Sequence, residues 1–277
     1  MPSPRVPIVE TVLKAWVDAF RAIRAMPVVA LCALVILAVL GVTSWWVSVA
    51  VLLSPGRTVQ QWLASPTWFV LSLLNTSLQV VLLAPLMMAV QRFVIRREIA
   101  RWYPLNPLRP SYLHFVGIAL AIYLAYRAPE LIGLLARSAA DLPVGVDGAI
   151  WLLTLPLIIA VVIVALRKVA LFAAIAAFAR NASWRGMAAA DAGNTFRIAL
   201  VMLAVWLPGT VYSALVTAYF PMPRGNIEMG GILLALAVWL PQLPVMSAIA
   251  AAVARIYMAI EMPLEAPATE AERQAIA

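Results

Sequence analysis

The stretch MPVVALCALVILAVLGVTSWWVSVAVLL, residues 26–53, contains no Asp, Glu, Lys or Arg. About 20 apolar residues cross a bilayer as a helix, at about 1.5 Å per residue, so this stretch is long enough to span. The apolar region of a cleaved signal peptide has only about 7–15 residues, which is far shorter. The stretch therefore predicts a transmembrane helix that stays in the protein.

Five further windows without these charged residues follow along the chain. They cover residues 66–91, 110–126, 148–166, 198–223 and 229–254. Backbone groups in lipid must be bonded within their own segment, and these runs lack the alternation of a barrel strand. The 277 residues are 65% hydrophobic and 12% charged, whereas a soluble domain is about 25% charged. The sequence predicts an all-α polytopic membrane helix bundle with about six transmembrane helices, and it excludes a soluble enzyme.

The formal net charge of +8 is distributed unevenly between the two sides of this bundle. Six spans place 16 of the 20 Lys and Arg residues on the side of both termini and 4 on the other side. Basic residues mark the cytoplasmic side of bacterial inner-membrane proteins. We expect a multi-pass protein with cytoplasmic N- and C-termini, and an abundance of Arg over Lys that is typical of a high-GC bacterium. The charge indicates anionic lipids on the cytoplasmic face as partners, not nucleic acid.

Residues 1–25 predict an N-terminal amphipathic interfacial helix before the transmembrane domain at 26–257. Charged residues occupy one face of this helix, and the other carries apolar residues at helical spacing: Val9, Val12, Leu13, Trp16, Phe20 and Ile23. Such a helix lies in the headgroup plane, where anchoring is a simpler role than lipid sensing. Residues 258–277 form an acidic tail rich in Ala and Pro, which predicts disorder.

Two connecting segments have distinctive sequences. Residues 92–110 carry five arginines and three prolines, and they either bind anionic head groups or only orient the protein. Residues 169–179 are apolar but too short to cross the membrane. They either extend the fourth span or form a cytoplasmic elbow before the fifth span.

Polar residues inside the spans are the default functional candidates. Asn75 and Gln79 in the second span and Gln242 in the sixth either join helices by hydrogen bonds or line a polar path. Arg127 and Glu130, three residues apart, are a snorkelling pair or a buried ion pair on a substrate path. The prolines inside the spans each free a backbone carbonyl and can bend their helix: Pro85, Pro156, Pro208, Pro241 and Pro244.

The chain has one histidine and one cysteine, so zinc, haem and copper sites are not expected. No nucleophile elbow, zinc-protease, phosphate-loop or dinucleotide-binding motif is present in the sequence. We therefore expect no cofactor and assign no catalytic residue.

Three stretches resemble an uncharacterised family of six-span bacterial inner-membrane proteins, which is distantly similar to the membrane domain of glycerophosphodiester phosphodiesterases. They are VQRFVI at 90–95, LRKVALFAAIAAFARNASWRGMAAADAGNTFRI at 166–198 and AAVARIYMAI at 251–260. The matching positions are Arg167, Gly193, Asn194, Phe196, Arg197, Arg255 and Tyr257. The chain departs from the family by lacking the elbow proline and by having Ala190 and Asp191 where Ala-Trp is typical. The resemblance implies a six-helix bundle and brings no established activity.

Asp191, Asn194 and Arg197 also share one helix face by their spacing. Three functions remain open for the whole chain. The first is a non-enzymatic protein that acts in assembly, organises lipid or serves as an accessory subunit, with protein partners or a second copy of itself. The second is a transporter or channel for a small or lipidic substrate, and the third is a membrane-embedded enzyme that modifies lipid.

Overall fold

The computed structural model describes residues 5–52, 66–140, 147–178, 192–219 and 229–260. Within these ranges the chain forms nine helices and no strand. The helices are α1 Ile8–Ala25, α2 Pro27–Leu52, α3 Pro66–Arg96, α4 Pro110–Ala140, α5 Asp147–Arg167, α6 Ala170–Ala176, α7 Ala192–Tyr219, α8 Met229–Trp239 and α9 Gln242–Ile260.

Five of the described segments are long and apolar enough to cross a membrane: α2, α3, α4, α7, and α8 together with α9. Helices α5 and α6 give a sixth if they are counted as one bent span. The predicted all-α membrane bundle is therefore confirmed, with five to six spans. Helices α3 and α4 extend past the ends of their apolar windows, to Arg96 and Ala140, and α7 begins six residues before its window, at Ala192.

The described part of the segment 169–179, residues 169–178, forms an elbow. Helix α6 is bent by 44° from α5, with a turn at Lys168 and Val169 between them. Leu171 and Ala173 in α6 are completely buried, and the helix packs against α9 and α3. A segment that is too short to cross the membrane thus buries its apolar side chains within the protein.

The sixth predicted span is interrupted. A turn at Leu240 and Pro241 separates α8 from α9, where the sequence predicts one continuous segment over 229–254. Proline has no backbone N–H and restricts the residue before it, which disfavours a regular helix at this point. The polar Gln242 then begins α9.

Helix α9 lies at the centre of the packing and contacts α1, α3, α6 and α7. Its interior is built from alanines that are completely buried: Ala248, Ala250, Ala251, Ala252 and Ala254. Small residues let helices approach closely in membranes, where van der Waals packing drives association. The alanine-rich sequence of α9 therefore explains why several helices fit around it.

Two glycine and tryptophan contacts join α2 to α8. A Cβ atom built on Gly41 would lie 2.7 Å from Cγ of Trp239, and one built on Gly231 would lie 1.8 Å from Cζ2 of Trp45. Only glycine leaves room for an indole ring at these two positions. The contacts therefore fix how closely α2 and α8 approach.

The proline inside α3 has its freed carbonyl bonded by a neighbouring helix. Pro85 cannot donate to the carbonyl of Val81, and the Tyr112 hydroxyl of α4 donates to that oxygen at 2.6 Å. The Tyr103 hydroxyl donates to the next carbonyl, that of Leu82. These two hydrogen bonds hold the connection, through Tyr103, and the start of α4, through Tyr112, against the proline-containing part of α3.

Candidate functional site

Helix α1 is bound to the bundle through a face of small residues. Thr11, Ala15, Asp18, Ala19 and Ala22 are buried, and the helix packs mainly against α9 and next against α7. The apolar stripe that the sequence singles out in α1 is not the buried face. Three of its six members remain exposed, Val9, Leu13 and Phe20, and the other three are partly buried against the core.

A buried ion pair joins α1 to α9. Arg255 donates from Nε to Oδ2 of Asp18 at 2.8 Å and also from Nη2 to the same oxygen. The Asp18 side chain is 1% exposed and that of Arg255 is 22% exposed. Burying a carboxylate without a charged or hydrogen-bonding partner is strongly unfavourable, so the ion pair with Arg255 offsets the cost of burying Asp18.

Val6, two residues before α1, is held by the start of α7. The backbone N–H of Val6 donates to Oδ1 of Asn194 at 3.0 Å, and Nη1 of Arg197 donates to the carbonyl of Val6 at 3.2 Å. Two members of the predicted polar face thus bind both backbone groups of one buried residue. The third member, Asp191, lies outside the described residues.

Two of the three predicted amides within the spans donate hydrogen bonds to serines on neighbouring helices. Asn75 donates to Oγ of Ser44 at 2.8 Å, and Gln242 donates to Oγ of Ser213 at 3.3 Å. These bonds join α3 to α2 and α9 to α7. Gln79 lies half-buried on α3.

Arg127 and Glu130 form an ion pair on α4. The distance from Nη1 of Arg127 to Oε1 of Glu130 is 2.5 Å, and Nη2 also donates to Oγ of Ser72 on α3 at 2.5 Å. The guanidinium lies 5.6 Å from the ring centre of Phe69. The pair is mostly buried between α3 and α4 and connects them.

Three arginines surround the ring of Phe178, in the turn that follows α6. The Cζ atoms of Arg92, Arg109 and Arg96 lie 4.3, 4.7 and 5.8 Å from the ring centre. We call these four residues the Phe178 arginine cluster. Arg167, the candidate that precedes the elbow, is exposed at the end of α5.

Tyr103 lies in the connection that carries Arg109 to this cluster. Burial raises the pKa of its phenol, so the neutral form that donates to Leu82 is retained well into alkaline solution. The connection is therefore fixed to α3 by Tyr103, and the start of α4 is fixed to α3 by Tyr112.

The sequence did not single out Asp18 or Phe178 as site residues. The signal for Asp18 lies in its neighbours Ala15, Ala19 and Ala22, which give α1 a small-residue face with one carboxylate on it. Phe178 gives no comparable signal, because its arginines come from two separate segments of the chain.

The described ranges contain no group of three or more His, Cys, Asp or Glu side chains arranged to hold a metal ion. An apolar groove of about 430 Å³ lies between α4 and α5, and its lining includes Ile118, Ala121, Ala160 and Val164. The described residues therefore offer two features: charged side chains that can bind charged groups, and an apolar groove that can hold a hydrocarbon chain.

Comparison of the chain with protein-family models, with curated proteins and with solved structures finds no match. The resemblance drawn from the sequence therefore stays a prediction.

Proposed function

We propose that this chain is a non-enzymatic protein of the bacterial inner membrane that organises lipid at one end of its bundle. We name this end the basic end, because it carries Arg92, Arg109, Arg197 and Arg255. In this proposal both termini are cytoplasmic and the basic end faces the cytoplasm. The contact of α1 with α9 supports the proposal, since it brings the N-terminal helix and the last span to one end.

The observation that carries the proposal is the exposed stripe of α1. Val9, Leu13 and Phe20 are 71%, 62% and 53% exposed, although the opposite side of the same helix is buried on α9. Exposed apolar area costs about 25 cal/mol per Å² in water, and the boundary between head groups and acyl chains removes that cost. A helix held rigidly by protein on one side presents this stripe to lipid at a constant depth.

The charged residues of α1 suit the same location. Lys14 donates to Glu10, and this hydrogen bond lowers the pKa of the Glu10 carboxyl. Both side chains are more than half exposed. The helix therefore offers a polar face for head groups and water beside an apolar face for acyl chains.

Transport and lipid modification are the alternatives. The interruption of the sixth span at Pro241 favours transport, since broken helices line transporter sites. The bonds of Asn75 and Gln242 to serines favour a packed bundle, because these amides are engaged between helices. An assembly or accessory role, with a protein partner or a second copy, is compatible with the lipid-organising role.

The test places the full-length protein in vesicles that contain spin-labelled phospholipid. We expect the variant V9S/L13S/F20S to lower the fraction of motionally restricted lipid, because its stripe no longer enters the acyl region. The matched control is E10S/K14S, which changes exposed residues of the same helix and should leave that fraction unchanged. Equal fractions for the wild type and the stripe variant, with equal thermal unfolding, would contradict the proposed role of α1.

A further inference from the structure

The Phe178 arginine cluster is a permanent concentration of positive charge. Guanidinium groups are attracted to aromatic faces, and Phe178 accepts three of them. Its backbone has φ of 54°, in the left-handed region that bulky residues rarely adopt. Nε of Arg92 donates to the carbonyl of Ala176 at 2.7 Å, which holds this turn against the end of α3.

The cluster carries more charge than the described residues around it neutralise. Arg96 has Glu98 at 3.6 Å, and both side chains are about half exposed. No carboxylate of the described residues forms an ion pair with Arg92 or Arg109, although both lie within 4.7 Å of one ring centre. A bound anion would relieve the repulsion between these two like charges. Arginine binds phosphate with two parallel hydrogen bonds, which makes phosphate the best-fitting anion.

The cluster lies where phospholipid phosphates lie. Arg92 is in the last two turns of α3, and Arg109 immediately precedes α4, so both are at the boundary of spanning helices. Basic pockets between transmembrane helices at such a boundary bind anionic head groups.

An apolar groove lies further along α4, between α4 and α5. It is lined by Ile118, Ala121 and Ala125 of α4 and by Ala160 and Val164 of α5. At about 1.5 Å per residue, Ile118 lies about 12 Å and Ala125 about 22 Å along α4 from its first residue. Half of a hydrocarbon core is about 15 Å thick, so the groove runs from within the nearer leaflet to just past the middle of the bilayer, a depth that the end of an acyl chain reaches. The alanines on both helices create the space that a chain needs.

We propose that the Phe178 arginine cluster and this α4–α5 groove bind one anionic phospholipid, with its phosphate at Arg92 and Arg109 and one acyl chain in the groove. Three arginines and Glu98 leave a net positive charge at the cluster. This charge selects an anionic head group over a zwitterionic one, whose ammonium group brings a further cation. This inference rests on the proposed lipid-organising function and names the lipid class.

The test uses the delipidated full-length protein in detergent, titrated with phosphatidylglycerol, phosphatidylcholine or inorganic phosphate and followed by native mass spectrometry. We expect the wild type to bind one phosphatidylglycerol. Arg109→Gln weakens that binding about tenfold, since a charge-assisted bidentate contact is lost. Arg101→Gln removes the same charge from an exposed residue of the same connection and leaves binding unchanged.

The groove has its own variant, A121L/A160L, which fills the space with larger side chains. It should weaken phosphatidylglycerol binding and leave any binding of inorganic phosphate unchanged. This variant also decides the question if Arg109→Gln is poorly folded, because it keeps every arginine. Equal binding by the Arg109 and Arg101 variants overturns the proposal, as does equal binding of phosphatidylcholine. Inorganic phosphate that displaces the lipid at equal concentration also overturns it and indicates a site for a free anion.

The two proposals fail separately. If Arg109→Gln binds lipid like the wild type while the α1 stripe variant loses restricted lipid, the specific site is wrong and the lipid-organising function stands. If the stripe variant has no effect while Arg109→Gln loses phosphatidylglycerol, the site stands and the role of α1 is wrong.

Discussion

Helices α3 and α4 are neighbours of equal length that are buried to very different extents. Each has 31 residues and one internal proline, Pro85 in α3 and Pro129 in α4. Within their most apolar windows 56% of α3 is buried in the protein, but only 11% of α4 is. Helix α3 packs against α9, α4, α2 and α6, whereas α4 contacts mainly α5 and α3. Hydropathy selects the segments that enter a membrane, and it does not distinguish a helix that faces protein from one that faces lipid.

The largest expected effect tests this difference directly with one leucine in each helix. Leu86 of α3 is 1% exposed and Leu124 of α4 is 50% exposed. We expect Leu86→Ala to lower the free energy of unfolding by about 2–5 kcal/mol, because it leaves a cavity. Leu124→Ala should change it by less than about 0.5 kcal/mol. Denaturant unfolding in detergent micelles measures both, and equal losses would mean that a partner covers α4.

An intermediate effect concerns the hydrogen bond by which α4 compensates the proline of α3. Tyr112→Phe leaves the Val81 carbonyl unbonded and should cost about 1–3 kcal/mol of unfolding free energy. Tyr126→Phe, at an exposed position of the same helix, is the control and should cost little. In a Pro85→Ala background the new backbone N–H can bond Val81, so Tyr112→Phe should cost less there. An unchanged cost in that background would show that the hydroxyl does not act through the freed carbonyl.

The smallest expected effect concerns the hydrogen bond between Ser72 of α3 and Arg127 of α4. Ser72→Ala removes the acceptor for Nη2 of Arg127 and leaves the pair with Glu130 in place. Interhelical hydrogen bonds in membrane proteins average about 0.6 kcal/mol, and we expect a loss of that size in unfolding free energy. Ser77→Ala on the same helix is the control. Equal losses of unfolding free energy for the two serine variants would show that this hydrogen bond does not contribute to the association of α3 with α4.

The sequence was sufficient for features that depend on neighbours along the chain. The apolar windows predicted the bundle, and helical spacing put Asn194 and Arg197 on one face, where the structure has both of them bound to Val6. The ion pair of Arg127 and Glu130 likewise follows from a separation of three residues.

Features that depend on distant segments could not be predicted in this way. The exposed stripe of α1 and its buried alanine face both have helical periodicity, and only the presence of α9 decides which of them is covered. The Phe178 arginine cluster needs the elbow after α5 to return to the end of α3. No pattern within one segment contains that information.

The ion pair between Asp18 and Arg255 also affects the order of events during synthesis, because its partners are 237 positions apart in the sequence. A ribosome adds about 5–20 residues per second, so α1 exists for roughly 10–50 s before α9 emerges. During that interval the carboxylate and the alanine face of α1 have no partner from the last span. Only a chain that already includes α9 can bury Asp18 against Arg255, and a chain truncated before α9 leaves this carboxylate without that partner. Burial of Asp18 is therefore one of the last steps in the assembly of the bundle.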